Sequence, residues 1–146
     1  MQKKDTKIPV LVIEDEVAHA EALAEALERE GYELTIANSG EEGLDIFNLG
    51  DPQVIVTDLK LGGKIDGLKI LETVSASERS CAVVLITAHS SIETCKEALR
   101  QGAYDYIPKP IDLDTLRAVV NRAANKVQLE RENRRLQSQL ESKFDF

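Results

Sequence analysis

The sequence predicts a three-layer α/β sandwich, and two patterns carry that expectation. Apolar, β-branched runs recur about every 20 to 25 residues, at 8–13, 33–37, 53–57, 82–87 and 104–107, with amphipathic helical patterns between them. Strands that alternate with helices run parallel, and residues 10–13, 54–56 and 83–86 are apolar at every position, as a strand covered on both faces requires.

Each helix has its own local reason. After the first run, Val17, Ala20, Leu23, Ala24 and Leu27 form one apolar stripe, acidic residues take the outer face, and Gly31 is the stop signal. Leu34 and Ile36 alternate with polar neighbours, which suits an edge strand. Ser39 can cap a second helix while Glu42 reaches back; that helix carries Leu44, Phe47 and Leu49 inward and ends at Gly50, Asp51 and Pro52. A third helix starts near Asp66 and Gly67 with Leu68, Leu71 and Val74 inward. Ser90 to Glu93 repeat the capping box for a fourth, which is expected to bury Ile92, Cys95 and Leu99 and to stop at Gly102. Asp112 opens a fifth. The strand order that fits is 2-1-3-4-5, a flavodoxin-like (βα)5 fold whose ligand crevice lies at the carboxyl ends of the strands.

Composition removes several functions. With 18 Lys and Arg against 26 Asp and Glu, the net charge of −8 leaves no basic face for a nucleic-acid duplex. The longest apolar run near the start, residues 8–13, is far short of the roughly 20 that cross a bilayer, so the expected location is the cytoplasm with no membrane contact. Cys81 and Cys95 show no disulfide or CxxC pattern and read as reduced, mostly buried residues.

Chemistry gathers where the fold rule says it should. Strand one ends in Glu14 and Asp15, strand three in Asp58, strand four in Thr87, and strand five, after Ile107 and Pro108, in Lys109 and Pro110. A lone Asp at a strand end is ordinarily a turn or capping residue, but four strand ends sharing the pattern point to a site. Three neighbouring carboxylates repel one another unless a cation neutralises them, and oxygen-only donors with retained waters suit Mg2+. One carboxylate can then attack a phosphoryl group, with Lys109 and the Thr87 hydroxyl answering its oxygens. The two prolines around Lys109 fix its backbone, and the Lys109–Pro110 bond is a candidate cis peptide.

These residues resemble the receiver domain of a bacterial two-component response regulator, over roughly residues 7 to 124. The family's acidic pair matches Glu14 and Asp15, its phosphoacceptor Asp58, its Thr-Ala Thr87 and Ala88, its Lys-Pro Lys109 and Pro110, and its aromatic switch residue Tyr106. The resemblance implies that a histidine kinase presents phosphohistidine and that Asp58 accepts the phosphoryl group. It implies Mg2+ held by Asp15, Asp58, Glu14 through water, and the backbone carbonyl of Lys60. It implies further that Thr87 and Lys109 move toward the new phosphoryl group, that Tyr106 swings inward, and that the face of helix four, strand five and helix five changes shape. The module is then no enzyme in the ordinary sense, but a phosphoacceptor that catalyses its own phosphorylation and dephosphorylation.

Two features depart from the family pattern. The loop after Asp58 reads Leu61-Gly62-Gly63-Lys64-Ile65-Asp66-Gly67, without the usual proline and one residue longer, and is expected to be more mobile. The acidic pair begins with Glu. Lys60 and His89 stand where the family tunes dephosphorylation.

Residues 121–146 carry six Lys and Arg against four Asp and Glu, a net +2, which leaves −10 for the preceding 120 residues. No Gly or Pro interrupts residues 112–146, so helix five is expected to run on, with Leu116, Val120, Ala123 and Val127 as its packing stripe. Leu129, Asn133, Leu136 and Leu140 then take a and d positions of a short coiled coil, with Asn133 able to specify a parallel dimer; a solvated charged helix is the alternative. Residues 129–136, followed by Phe144, Asp145 and Phe146, resemble the linker of NtrC-type sigma-54-dependent activators. That implies a receiver at 1–124, a helical linker at 125–146, and an AAA+ output domain absent from this chain. A homodimer through the helix four, strand five and helix five face, the linker helix, or both is the expected assembly, with either sign of response to phosphorylation open.

Other classes use the same residues less well. A haloacid-dehalogenase-type phosphatase needs a second acid two residues after its nucleophile, where Lys60 stands. A flavin protein needs a phosphate cradle after strand one, where Glu14, Asp15 and Glu16 repel phosphate. A pseudo-receiver that only binds partners would have no need of the carboxylate cluster.

Overall fold

Among the described residues strand and helix alternate without exception. In order they are β1 (Pro9–Ile13), α1 (Val17–Glu28), β2 (Glu33–Ala37), α2 (Gly40–Leu49), β3 (Val54–Asp58), α3 (Gly67–Ser77), β4 (Ala82–Thr87), α4 (Ile92–Arg100), β5 (Asp105–Pro108) and α5 (Leu113–Phe144). The structure, a computed structural model, describes residues 7–88 and 92–144. All strand pairs are parallel, in the order β2-β1-β3-β4-β5.

The period-two geometry of a strand explains how one apolar run builds two cores. Val10, Val12, Val54, Val56, Val84 and Ile86 point to the side covered by Leu23 and Leu27 of α1 and by Leu116 and Val120 of α5. Leu11, Ile13, Ile55, Val83 and Leu85 point the other way, onto Phe47 of α2, Ile70, Leu71 and Val74 of α3, and Ala98 of α4. Each large side chain so buried stabilises the fold by about 1.5–3 kcal/mol. At the sheet edge, β2 alternates exposed and covered residues as Leu34 and Ile36 suggested.

The caps form where short polar side chains stand. Ser39 Oγ accepts from the Glu42 amide at 3.0 Å, and Glu42 reaches back to the Asn38 amide at 2.9 Å. Asp66 accepts from the Lys69 amide at 3.0 Å to start α3, and Asp112 from the Asp114 amide at 3.1 Å to start α5. Gly102, at φ +113°, turns the chain out of α4 in a conformation that side chains disfavour. The Ser90 cap lies outside the described residues.

Five apolar positions differ from expectation. Val17 is 56% exposed, because it opens α1 before the helix lies over the sheet, and Leu49 is 90% exposed, because Phe47 takes the inward position at that end of α2. On α4 the inward stripe is Cys95 and Ala98; at 100° per residue this turns Ile92 and Leu99 together onto the outer flank, 71% and 41% exposed. Leu68 is only partly covered, while Ile70 takes a fully buried place beside Leu71 and Val74. Cys95 is buried, and burial pushes the Cys81 thiol up to about 12.

Helix α5 is continuous over 32 residues and carries two stripes. Leu116, Val119, Val120, Ala123, Ala124 and Val127 pack into the core. Beyond Val127 the same side turns cationic: Arg131 donates to both Asp51 oxygens at 2.9 and 3.0 Å and to the Ser80 carbonyl at 2.8 Å, and Arg134 to the Glu78 carbonyl at 3.1 Å. Leu129, Leu136 and Leu140 lie on the other side, 70%, 46% and 55% exposed, and Asn133 with them is exposed. Phe144 ends the helix, and the aromatic pair it forms with Phe146 lies outside the described side chains.

Candidate functional site

The parallel register brings the ends of β1, β3, β4 and β5 to one edge of the sheet. Asp58 closes β3 opposite Ile86, Thr87 follows Ile86 and pairs with Pro108, and Lys109 comes next. The Lys109 amide donates to the Thr87 carbonyl at 2.7 Å, and the Lys109–Pro110 peptide is cis. On the other side of β3, Glu14 follows Ile13 of β1, and its amide donates to the Ala37 carbonyl at 3.0 Å.

Glu14, Asp58 and Thr87 are 3%, 6% and 2% exposed, an unusual depth for two acids. Lys109 Nζ donates to Asp58 Oδ2 at 2.8 Å, and the Lys60 amide donates to Asp58 Oδ1 at 3.3 Å. Helix α3 begins against this strand end: a Cβ on Gly67 would lie 2.5 Å from the Asp58 carbonyl oxygen, so only glycine fits there. Asp15 is exposed, and its Oδ2 accepts from the Gly62 amide at 2.9 Å.

Charge follows from this placement. Burial pushes the Glu14 carboxyl above the ordinary carboxylate range; the Glu16 amide and Lys109 oppose that, and the Asp58 and Asp15 carboxylates reinforce it. The Gly62 amide holds Asp15 below the ordinary range against partial desolvation. The hydrogen bond to Asp58 raises Lys109 above the usual lysine value, with the fields of Asp58, Glu14 and Asp15 adding to it. The cluster is therefore short of positive charge, and its donors are all oxygen, the set a hard divalent cation takes. Among the described residues no group of three or more His, Cys, Asp or Glu side chains gathers closely enough to hold a metal ion by itself.

Of the residues singled out by sequence, Asp58 and Lys109 touch, Lys60 reaches Asp58 through its amide, and Glu14, Asp15 and Thr87 line the same edge. Tyr106 stands apart on β5, 36% exposed. His89 lies outside the described residues. Two contributors carried no signal of their own. Asn38 Nδ2 donates to the Glu14 carbonyl at 3.2 Å, and its position beside the Ser39 cap was the available hint. Gly62 acts through a backbone amide, which no side-chain pattern reports.

The loop after β3 is anchored at both ends, with residues 62–64 exposed between. Leu61 is buried, Ile65 packs so tightly on α2 that a Cβ on Gly40 would come within 2.2 Å of the Ile65 carbonyl oxygen, and Asp66 caps α3.

Residues 10–121 match the family model described as response regulator receiver domain. Regulatory protein AtoC of Escherichia coli (strain K12) is 34% identical over 137 residues, which cover 94% of this chain and 30% of AtoC. A crystal structure of a response regulator receiver domain protein from Clostridium thermocellum superposes with a TM-score of 0.77 at 32% identity, over 84% of this chain and 98% of that one. NtrX from Brucella abortus superposes at 0.81 with 35% identity, over 90% of this chain and 30% of NtrX. The chain thus spans about 30% of the length of the curated relatives it matches first. Among the described residues no helix is long and apolar enough to cross a membrane.

Proposed function

The chain belongs to the response regulator receiver domain family, and from that premise we propose that it is a phosphorylation switch whose acceptor is Asp58. The observation that carries the reading is the buried Asp58 carboxylate, tied to Lys109 at 2.8 Å and set beside two further acids on a strand-end edge. An Asp58 oxygen attacks the phosphorus of a kinase phosphohistidine, the new O–P bond forms as the P–N bond breaks, and the electron pair leaves with the imidazole.

Asp15, Asp58, the Lys60 carbonyl and, through water, Glu14 would hold Mg2+. When bound, the cation supplies screening of the phosphoryl charge. This chain's own residues do the rest. Lys109 follows the charge from carboxylate to phosphoryl oxygen, and the Thr87 hydroxyl donates to another. Their shift opens space behind Thr87 for Tyr106, whose exposed ring then turns inward.

The change reaches the α4, β5 and α5 surface, where Ile92, Leu99, Tyr106 and Leu113 are exposed. A cognate sensor histidine kinase is the upstream partner, and the chain itself works in the cytoplasm. A second copy of the chain pairs through that surface, through Leu129, Asn133, Leu136 and Leu140 of α5, or both. Residues 1–124 act as the receiver and 125–146 as the helical linker toward an output domain, by likeness to the NtrC type an AAA+ activator. Intact-protein mass after incubation with a small-molecule phosphodonor and Mg2+ tests the core of this: a gain of one phosphoryl group that Asp58→Asn and a chelator each abolish is expected. A folded sample with no gain leaves a pseudo-receiver that acts only by binding.

A further inference from the structure

We infer that the backbone N–H of Gly62 is the positioning group for Asp15, and that the loop after β3 carries it into place; this rests on the proposed Mg2+ role of Asp15. Asp15 is exposed on the turn between β1 and α1, where a carboxylate left alone would sample several rotamers. The Gly62 amide, 47 residues away in sequence, takes Oδ2 at 2.9 Å. That bond, with the weaker contacts of Asp15 to the Glu14 side chain and to its own backbone, fixes the carboxylate's orientation, the arrangement in which an outer hydrogen bond orients a metal ligand.

The amide is fixed independently of Asp15. Leu61 on one side is anchored in the core, and on the other Gly63 turns at φ +93°, Ile65 packs against Gly40, and Asp66 caps α3. The departure from the family's usual loop thus acquires a role: a proline has no N–H to donate, and a glycine does. A Cβ at position 62 would stand 3.4 Å from Asp15 Oδ2, ordinary contact, so alanine keeps the donor without displacing the carboxylate.

The test is calorimetric Mg2+ titration of the 146-residue chain as wild type, Gly62→Ala and Gly62→Pro, with hydrogen exchange of the Gly62 amide followed by NMR in metal-free wild type and Asp15→Ala. Gly62→Pro is expected to bind Mg2+ about tenfold more weakly, the low end for loss of an outer hydrogen bond, and Gly62→Ala to match wild type. The Gly62 amide is expected to be protected in wild type and to lose protection in Asp15→Ala, a readout that stands even should the proline variant misfold. Equal or tighter Mg2+ binding by folded Gly62→Pro, equal weakening by Gly62→Ala, or an unprotected Gly62 amide overturns the inference alone. Wild type that binds no Mg2+ overturns the metal reading of the site, and the inference with it.

Discussion

Replacing Arg131 with alanine tests whether the second half of α5 is part of the receiver body. Arg131 makes a two-pronged ion pair with Asp51 and a third bond to the Ser80 carbonyl. Partial burial opposes it, yet the Arg131 and Arg79 guanidiniums hold the Asp51 carboxyl below its ordinary value, so both prongs act on that group. Because the Asp51 side chain is 65% exposed, solvent screens the ion pair and its share is about 0.5 kcal/mol. The bond from a charged donor to the Ser80 carbonyl, beside a buried residue, contributes about 1.5 kcal/mol. Arg131→Ala should therefore cost about 2 kcal/mol and Asp51→Asn about 0.5 kcal/mol, since in the latter the carbonyl bond survives. Urea denaturation followed by far-UV circular dichroism reads both values, and amide exchange over residues 128–135 locates the loss. High salt should remove the ion-pair share from both, leaving about 1.5 kcal/mol for Arg131→Ala and little for Asp51→Asn. Arg131→Ala with unchanged stability and unchanged exchange would refute the idea that α5 is latched to the β3 and β4 entry loops.

Two other outcomes follow from the site and its supports. Burial raises the Glu14 carboxyl, so between the unfolded value near 4.5 and the higher folded value the native state holds the extra proton and stability falls as pH rises. Metal-free Glu14→Gln should then melt higher than wild type at pH 7, with the difference closing below pH 4.5 and on adding Mg2+; a lower melting point at pH 7 contradicts the burial account. Gly40→Ala would drive a Cβ to 2.2 Å from the Ile65 carbonyl oxygen, and should cost about 1–3 kcal/mol in denaturant while shifting the NMR signals of the loop after β3.

The fold was legible because its determinants are local. Residues 54–56 are apolar at every position, which by itself specifies a strand covered on both faces, and the Ser39 and Asp66 caps follow from short polar side chains next to free amides. The strand-end rule then located Asp58, Thr87 and Lys109 without any contact being known. The expectation for α4 failed for Ile92 and Leu99, because helical period allows them to share a face with Cys95 but only packing sets which edge of that face turns inward.

What the sequence determined by itself was the alternation of elements, their two-sided burial and the edge at which the acids and the lysine collect. Tertiary structure alone decided the pairings: Lys109 with Asp58 across 51 residues, Gly62 with Asp15 across 47, and Arg131 with Asp51 across 80. Residue type and period report which groups are polar and which face is buried. Where a backbone amide points, or which loop a long arginine reaches, depends on the path of the chain between distant positions, and that path is set only when the two cores close on the sheet.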